Sequence, residues 1–274
     1  MSNVEASIQE KIKKVGLPLA QWQVNIYRGI LTGYNQAFII DDGIKEQLIK
    51  EDPRSVELIR PILRGRDIQR FAYNYANLWV INVHNGIKEL GIPPIDIDDY
   101  PAIKAHLDQF YPKLAIRADR GVTPYNLRNC AYLNDFSRQK IIWKRIGSKL
   151  RFSYDNTGLL CLDSTCFATG DGIEYLVAVL NSIMGNYLLK ESPKTGTGDL
   201  IISVQALEPI RIPKLQEHDQ EPYKELLALI LERIAQGKDC EDLEYKLNSL
   251  VFDAYGLSVE ERQYVIDFAT EAFR

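Results

Sequence analysis

The amino-acid sequence predicts an α/β (α+β) fold, with a mixed-sheet body over residues 1–213 and a helical C-terminal appendage over residues 214–274. Three observations point there. Between Val24 and Ile212, short runs rich in β-branched and aromatic residues alternate with helix-period stretches and Gly/Pro punctuation. From Gln220 onward the apolar residues keep helical spacing alone: Leu226, Leu227, Ile230 and Ile234, then Leu243, Leu247, Leu250 and Val251, then Val265, Phe268 and Ala269. Charge divides at the same place. Residues 214–274 hold 7 basic and 14 acidic residues, a net of −7, which leaves +3 for the rest of a chain whose total is −4.

In chain order, residues 5–15 read as a short helix stopped by Gly16 and Pro18. Val24–Ile40 reads as two strands around the turn Thr32-Gly33-Tyr34-Asn35. Asp41-Asp42-Gly43 opens a helix, because acidic side chains suit its positive end. Ser55 is expected to cap a helix ending near Arg64-Gly65, where glycine fits the left-handed C-terminal position. Leu78–Val83 reads as a strand, and Asp99 with Pro101 starts a helix through Phe110. Lys140–Ile146 reads as a buried strand with a basic end, with Arg151–Tyr154 and Leu159–Phe167 as further strands of its sheet. Ile173–Lys190 reads as one helix, Lys194–Asp199 as a flexible loop and Leu207–Ile212 as a strand closed by Pro213. Residues 221–274 read as three amphipathic helices broken at Gly237 and Gly256.

The 274 residues, 46% hydrophobic and 26% charged, fit an ordinary soluble globular protein of one or two domains. The apolar stretch Ile173–Leu189 is interrupted by Glu174, Asn181, Ser182 and Asn186 and is too polar to span a bilayer. No apolar signal region marks the amino terminus, so a cytoplasmic location is expected. Cys130, Cys161, Cys166 and Cys240 lack CxxC spacing and His84, His106 and His218 are scattered, which favours free thiols over a zinc site.

Catalytic signatures are missing too. Methyl transfer to an exocyclic amine needs a glycine-rich loop for S-adenosylmethionine and an (Asp/Asn/Ser)-Pro-Pro-(Tyr/Phe) turn that holds a flipped base. The only double proline is Ile92-Pro93-Pro94-Ile95, without those flanks. Glu244-Tyr245-Lys246 has the local spelling of a magnesium nuclease but lies in a helical pattern, where a solvated face is the simpler reading. Neither Gly-x-Ser-x-Gly nor a phosphate loop is present. The chain is expected to be non-catalytic on its own.

Several segments together resemble one family, the TaqI-like C-terminal specificity (target recognition) domain of adenine-specific DNA methyltransferases and type IIG restriction-modification enzymes. They are Arg28-Gly-Ile-Leu-Thr-Gly-Tyr-Asn-Gln-Ala-Phe-Ile-Ile-Asp41, Arg60-Pro-Ile-Leu-Arg-Gly-Arg-Asp-Ile-Gln-Arg70, Tyr100-Pro-Ala-Ile-Lys-Ala-His-Leu107, Leu114-Ala-Ile-Arg-Ala-Asp-Arg-Gly121, Gln139-Lys-Ile-Ile-Trp143, Leu180-Asn-Ser182 and Leu207-Glu-Pro-Ile-Arg-Ile-Pro213, with the tail Leu250-Val-Phe-Asp-Ala-Tyr-Gly-Leu257. The resemblance implies a domain that binds double-stranded DNA and positions a methyltransferase or methyltransferase-endonuclease part absent from this chain. It places S-adenosylmethionine, and magnesium where the parent also cleaves, in that other part. Two rival readings are a magnesium nuclease with a divergent site and a protein-interaction module of a phage-defence complex.

Charge locates the expected DNA face. Lys113–Arg151 carries ten basic residues against Asp119 and Asp135, +8 over 39 residues, and local field decides whether a polyanion is attracted. Arg117, Arg120, Tyr125 and Arg128 lie in polar loop sequence, where arginine can grip phosphate or guanine and tyrosine can pack on sugar or base. Lys140, Lys144 and Lys149 are further candidates, although strand alternation prevents Lys140, Lys144 and Arg145 from all meeting one groove. Arg64 and Arg66 are candidates whose alternative is service at a helix end and pairing with Asp67. Lys194, Thr195 and Thr197 lie in a loop that either follows a phosphate backbone or is ordinary surface. Trp22, Trp79 and Trp143 are expected in the core.

Overall fold

In the computed structural model, which describes residues 2–272, Ser2 accepts a hydrogen bond from the Glu5 amide (3.1 Å) and starts helix α1 (Asn3–Val15). Strand β1 (Gly16–Pro18) follows, then β2 (Val24–Arg28), a short helix α2 (Asn35–Phe38) and β3 (Ile39–Ile40). Asp41 accepts from the Ile44 amide (2.9 Å) and starts α3 (Asp42–Glu51), as the acidic opening predicts. Strands β4 (Ile59–Leu63) and β5 (Trp79–Ile81) precede α4 (Pro101–Asp108) and α5 (Tyr111–Ile116). Then come β6 (Lys140–Lys144), β7 (Ile146–Gly147), β8 (Phe152–Asp155), β9 (Leu160–Cys161) and β10 (Thr165–Gly170). Helices α6 (Ile173–Asn181) and α7 (Ile183–Leu188), β11 (Leu200–Ile201), α8 (Val204–Leu207) and β12 (Arg211–Pro213) lead to the long helices α9 (Glu217–Ala235), α10 (Glu241–Ala254) and α11 (Val259–Ala272).

The mixed α/β architecture is present as two four-stranded sheets and two small ribbons. The first sheet has the order β2-β10-β6-β8 and is antiparallel throughout; the second runs β3-β5-β4-β9, with β4 and β9 parallel. Ribbons β1-β12 and β7-β11 complete the set. The first sheet is apolar on both faces, which explains the unbroken Lys-Ile-Ile-Trp-Lys run of β6. Ile141 and Trp143 of β6, with Cys166 and Ala168 of β10, enter one core; Ile142 and Phe167 enter the other. The first core continues without interruption from α1 through α6 and α7 into α9, α10 and α11. Tyr255 and Tyr175 hydroxyls donate to the Arg211 and Pro213 carbonyls (2.8 and 2.9 Å), tying helices α10 and α6 to β12.

Four sequence expectations are corrected. Val24–Ile40 does not form a strand pair, because β2 and β3 belong to different sheets. Ser55 caps no long helix: residues Pro53–Glu57 make one 3-10 turn, and Ile59, Ile62 and Leu63 enter the second core on β4, hydrogen-bonded between β5 and β9. Residues 159–167 divide, β9 pairing with β4 while β10 joins β6. The helix predicted over 173–190 breaks after Asn181, whose amide group receives the Phe152 N–H (3.1 Å) and donates to the Phe152 carbonyl (2.7 Å). Ser182 then caps α7 by accepting from the Gly185 amide (3.1 Å). Three helices do close the chain, with Gly237 and Gly256 at positive φ (66° and 63°) between them.

Candidate nucleic-acid interface

At one end of the first sheet, three turns and two loops meet. Gly29 leaves β2 and donates its amide to the Thr165 carbonyl (3.0 Å), while Asp163 donates its amide back to the Ile30 carbonyl (2.9 Å). No larger residue fits at position 29, since a Cβ there would lie 2.0 Å from the Leu162 carbonyl oxygen. Ser164 accepts the Gly65 amide on its hydroxyl (3.0 Å) and the Arg145 amide on its carbonyl (3.0 Å). Arg145 in turn accepts from the Ile202 amide (2.8 Å), and β7 pairs with β11, which brings the Lys194–Asp199 loop alongside. On the other flank the Tyr132 hydroxyl donates to the Arg28 carbonyl (3.0 Å). The result is a continuous, cross-bonded ridge from Tyr132 through the turns at 28–30, 162–165 and 64–66 to the 144–149 and 194–199 loops.

Four of the predicted contact residues stand on this ridge. Arg66, Lys144, Lys149 and Lys194 are exposed, and among the described residues none of them is in an ion pair. Thr195 and Thr197 close the neighbouring loop, hydroxyl to hydroxyl (2.8 Å), and Thr195 also accepts the Asp199 amide (3.1 Å). Arg64 is committed elsewhere: its Nε and Nη2 donate to both carboxylate oxygens of buried Asp67 (3.0 and 2.8 Å), the pairing its sequence context offered as the alternative.

Two predicted contacts are corrected outright, because their charges lie inside the protein. Lys140 is wholly buried and donates to Asp155 and to the Phe136 carbonyl (2.6 Å). Burial alone would raise the Asp155 carboxyl; the Lys140 ammonium and the Thr157 donors outweigh it and hold the carboxyl below its usual range. Arg117, 8% exposed, donates to the Thr32 and Asn126 carbonyls (3.0 and 2.6 Å) and lies over the Phe38 ring at 4.5 Å. Its Nε has no partner among the described residues. Burial, with Arg120 nearby, lowers its pKa to about 10. Arg117 therefore clamps the Thr32-Gly33 turn to the 119–128 loop, joining two of the segments that carry the family resemblance.

That clamped loop holds the remaining candidates. Arg120 is exposed and donates to the Ala115 carbonyl at the end of α5 (3.0 Å). Arg128 is exposed and pairs with Asp119 (3.2 Å). Tyr125 is half-buried, its ring 5.7 Å from Tyr111 and its hydroxyl donating to Asp108 (2.5 Å). Burial and that carboxylate push its pKa up to about 12. Arg28 and Asp163 were not singled out as site residues, yet they occupy the middle of the ridge as an ion pair (3.1 Å). Arg28 opens a segment that carries the family resemblance, and that is its signal in the sequence. Asp163 gives none, because its partner is 135 residues away in sequence.

Features that a nuclease would use are engaged otherwise. Glu244 lies on α10 and pairs with Arg70 (2.8 Å), and among the described residues no three His, Cys, Asp or Glu side chains gather as metal ligands would. No described helix is long and apolar enough to cross a membrane.

Comparison with known proteins agrees with the resemblance. Residues 60–212, more than half of the chain, match the family described as the TaqI-like C-terminal specificity domain. The type II methyltransferase M.MjaIV of Methanocaldococcus jannaschii is 23% identical over 244 residues, which cover 82% of this chain and 77% of that relative. The structure of the type IIL restriction-modification enzyme MmeI, solved in complex with DNA, aligns with 94% of this chain at a TM-score of 0.67 and 13% identity, a likeness of fold. The type IIG restriction endonuclease BpuSI aligns with 93% of this chain at a TM-score of 0.47 and 13% identity. This chain spans 37% of the MmeI chain and 33% of the BpuSI chain. The matched segment runs from β4 to β12 and contains most of the ridge, and the chain belongs to the TaqI-like C-terminal specificity domain family.

Proposed function

We propose that this chain is the DNA sequence-reading part of a restriction-modification adenine methyltransferase, and that it positions a catalytic part carried elsewhere. The observation that carries this reading is the ridge: exposed cations mounted on three of its mutually hydrogen-bonded turns and loops. Arg66, Lys144, Lys149 and Lys194 would meet phosphates and set register, and Arg120 and Arg128 would reach base edges from the neighbouring loop. Thr195 and Thr197 would approach the backbone through their loop, and half-buried Tyr125 would shape the loop that carries Arg128. The acidic helices α9, α10 and α11 face away from this role by their charge. S-adenosylmethionine, and magnesium where the parent cleaves, would be held by the catalytic part.

The test is binding of the purified chain to duplex DNA over a salt series, with selection of bound sequences from a randomised duplex pool. Affinity that falls steeply with salt, together with an enriched motif, supports the reading. Binding that ignores salt, or a pool that stays random, contradicts it.

A further inference from the structure

The Arg28–Asp163 pair sits at the centre of the ridge, where it joins the end of β2 to the β9–β10 turn. Its two side chains are 43% and 30% exposed, unlike the buried Lys140–Asp155 pair, so it gains little stability as an ion pair. Its mounting, in contrast, is rigid. Arg28 is the last residue of β2, in register with Cys166 of β10, and its carbonyl accepts from the Tyr132 hydroxyl (3.0 Å). Asp163 lies in the β9–β10 turn, whose amide is bonded to Ile30 (2.9 Å) and whose geometry is closed by the Thr165 amide and hydroxyl on the Leu162 carbonyl (2.8 and 2.6 Å).

The pair also leaves one edge of each partner unused. Arg28 spends Nη2 on the Asp163 carboxylate (3.1 Å) and Nε on the Asp163 carbonyl (3.5 Å). Among the described residues, Arg28 Nη1 and the second carboxylate oxygen of Asp163 have no hydrogen-bond partner. The pair therefore carries an unused donor and an unused acceptor on two groups joined directly to each other, the guanidinium bonded to both the carboxylate and the carbonyl of Asp163. In the major groove, guanine offers the acceptors O6 and N7, and its partner cytosine offers the N4 amino donor next to them. A donor and an acceptor carried on two joined groups complement that pattern.

We infer that Arg28 and Asp163 form one reading unit for a single G·C base pair, Arg28 donating to guanine and Asp163 accepting from the cytosine amino group. The inference rests on the DNA-reading function proposed above and adds the base pair and the residues. A unit of this kind makes a prediction that two independent phosphate contacts do not: loss of either side chain relaxes the same position of the recognised sequence.

The experiment is motif selection from a randomised duplex pool by the full chain and by the Arg28→Ala, Arg28→Lys, Asp163→Ala and Asp163→Asn variants, with thermal melting of each. The melting temperatures should stay close to wild type, because Arg28 is exposed, Asp163 is half-buried, and an ion pair at that exposure adds little stability. Each variant should lose roughly tenfold of its preference for G·C at one shared position and keep the rest of the motif. Replacing that guanine by 7-deazaguanine should weaken wild-type binding by a similar factor and leave Arg28→Ala unaffected. An unchanged motif, uniform weakening at all positions, or different positions relaxed by the two residues would overturn the inference while the DNA-reading function stood. A wild-type pool that stays random would overturn both.

Discussion

Lys140 and Lys144 are four residues apart at opposite ends of one strand, and they belong to different parts of the protein's economy. Lys140 has no exposed surface and ends on Asp155 and the Phe136 carbonyl. Lys144 is exposed on the ridge, its stem beside Gly65. The same division separates Arg117, which holds two loops together from inside, from Arg128, exposed on the loop it holds. The +8 segment is thus two populations of cation. One is fixed inside the protein and ties its loops together; the other is exposed and, under the function proposed above, would supply the field that a polyanion meets.

The largest expected effect follows from breaking the interior population. Lys140→Met leaves the Asp155 carboxylate buried without its cation and should lower stability by about 3–5 kcal/mol in urea unfolding. Lys144→Met should change it by no more than about 0.5 kcal/mol. Equal losses would erase the distinction between the two lysines.

Arg117→Met should come next. It leaves the Thr32 and Asn126 carbonyls without their charged donors, for a loss of about 2–3 kcal/mol. Amide hydrogen exchange should quicken in residues 29–36 and 118–128 while β6 and β10 keep their protection. Arg128→Ala should leave both measurements near wild type.

An acid-dependent loss is expected at a further ion pair, between α1 and α11. Glu261 accepts from Lys11 (2.6 Å), from the Ser7 hydroxyl (2.7 Å) and from the Ser258 amide (2.6 Å). Burial would raise its pKa; these donors outweigh burial and hold it at about 2, against 4.5 for an ordinary glutamate. The folded-state value is the depressed one, so the stabilisation is complete above about 4.5 and is lost as pH falls from there toward about 2. Wild-type urea midpoints should therefore drop more than those of Glu261→Gln across that window. Parallel curves would remove Glu261 from the acid response.

Much of this organisation was legible before the structure, and the rest was hidden for identifiable reasons. The three closing helices and the acidic helix start at Asp41–Gly43 follow from local spacing and end chemistry, and β6 from its unbroken apolar run Ile141-Ile142-Trp143. Strand β4 was misread as part of a helix, since Ile59-Arg60-Pro61-Ile62-Leu63 owes its conformation to β5 and β9, distant in sequence. Sheet membership of β3 and β9 was hidden for the same reason. For the interface, sequence could locate positive charge but could not separate Lys140 from Lys144, because strand alternation puts both on one face and only Asp155 distinguishes them. The Arg28–Asp163 pair was beyond it, being made by two turns that meet only when the first sheet closes.

The smallest effect in energy decides whether the exposed cations, and not the basic segment as a whole, face DNA. It is a salt titration of duplex binding for wild type, Lys144→Ala, Lys149→Ala and the Lys144→Ala/Lys149→Ala double variant, on selected and scrambled sequences, with Arg138→Ala as a control within the same basic segment but off the ridge, paired to Asp135. Each ridge lysine should flatten the log–log slope by about 0.9, the double variant by about twice that, equally on both sequences, and Arg138→Ala should leave the slope unchanged. Slopes that stay at the wild-type value in the ridge variants would remove these lysines from the DNA face, and an equal shift for Arg138→Ala would spread that face over the whole basic segment.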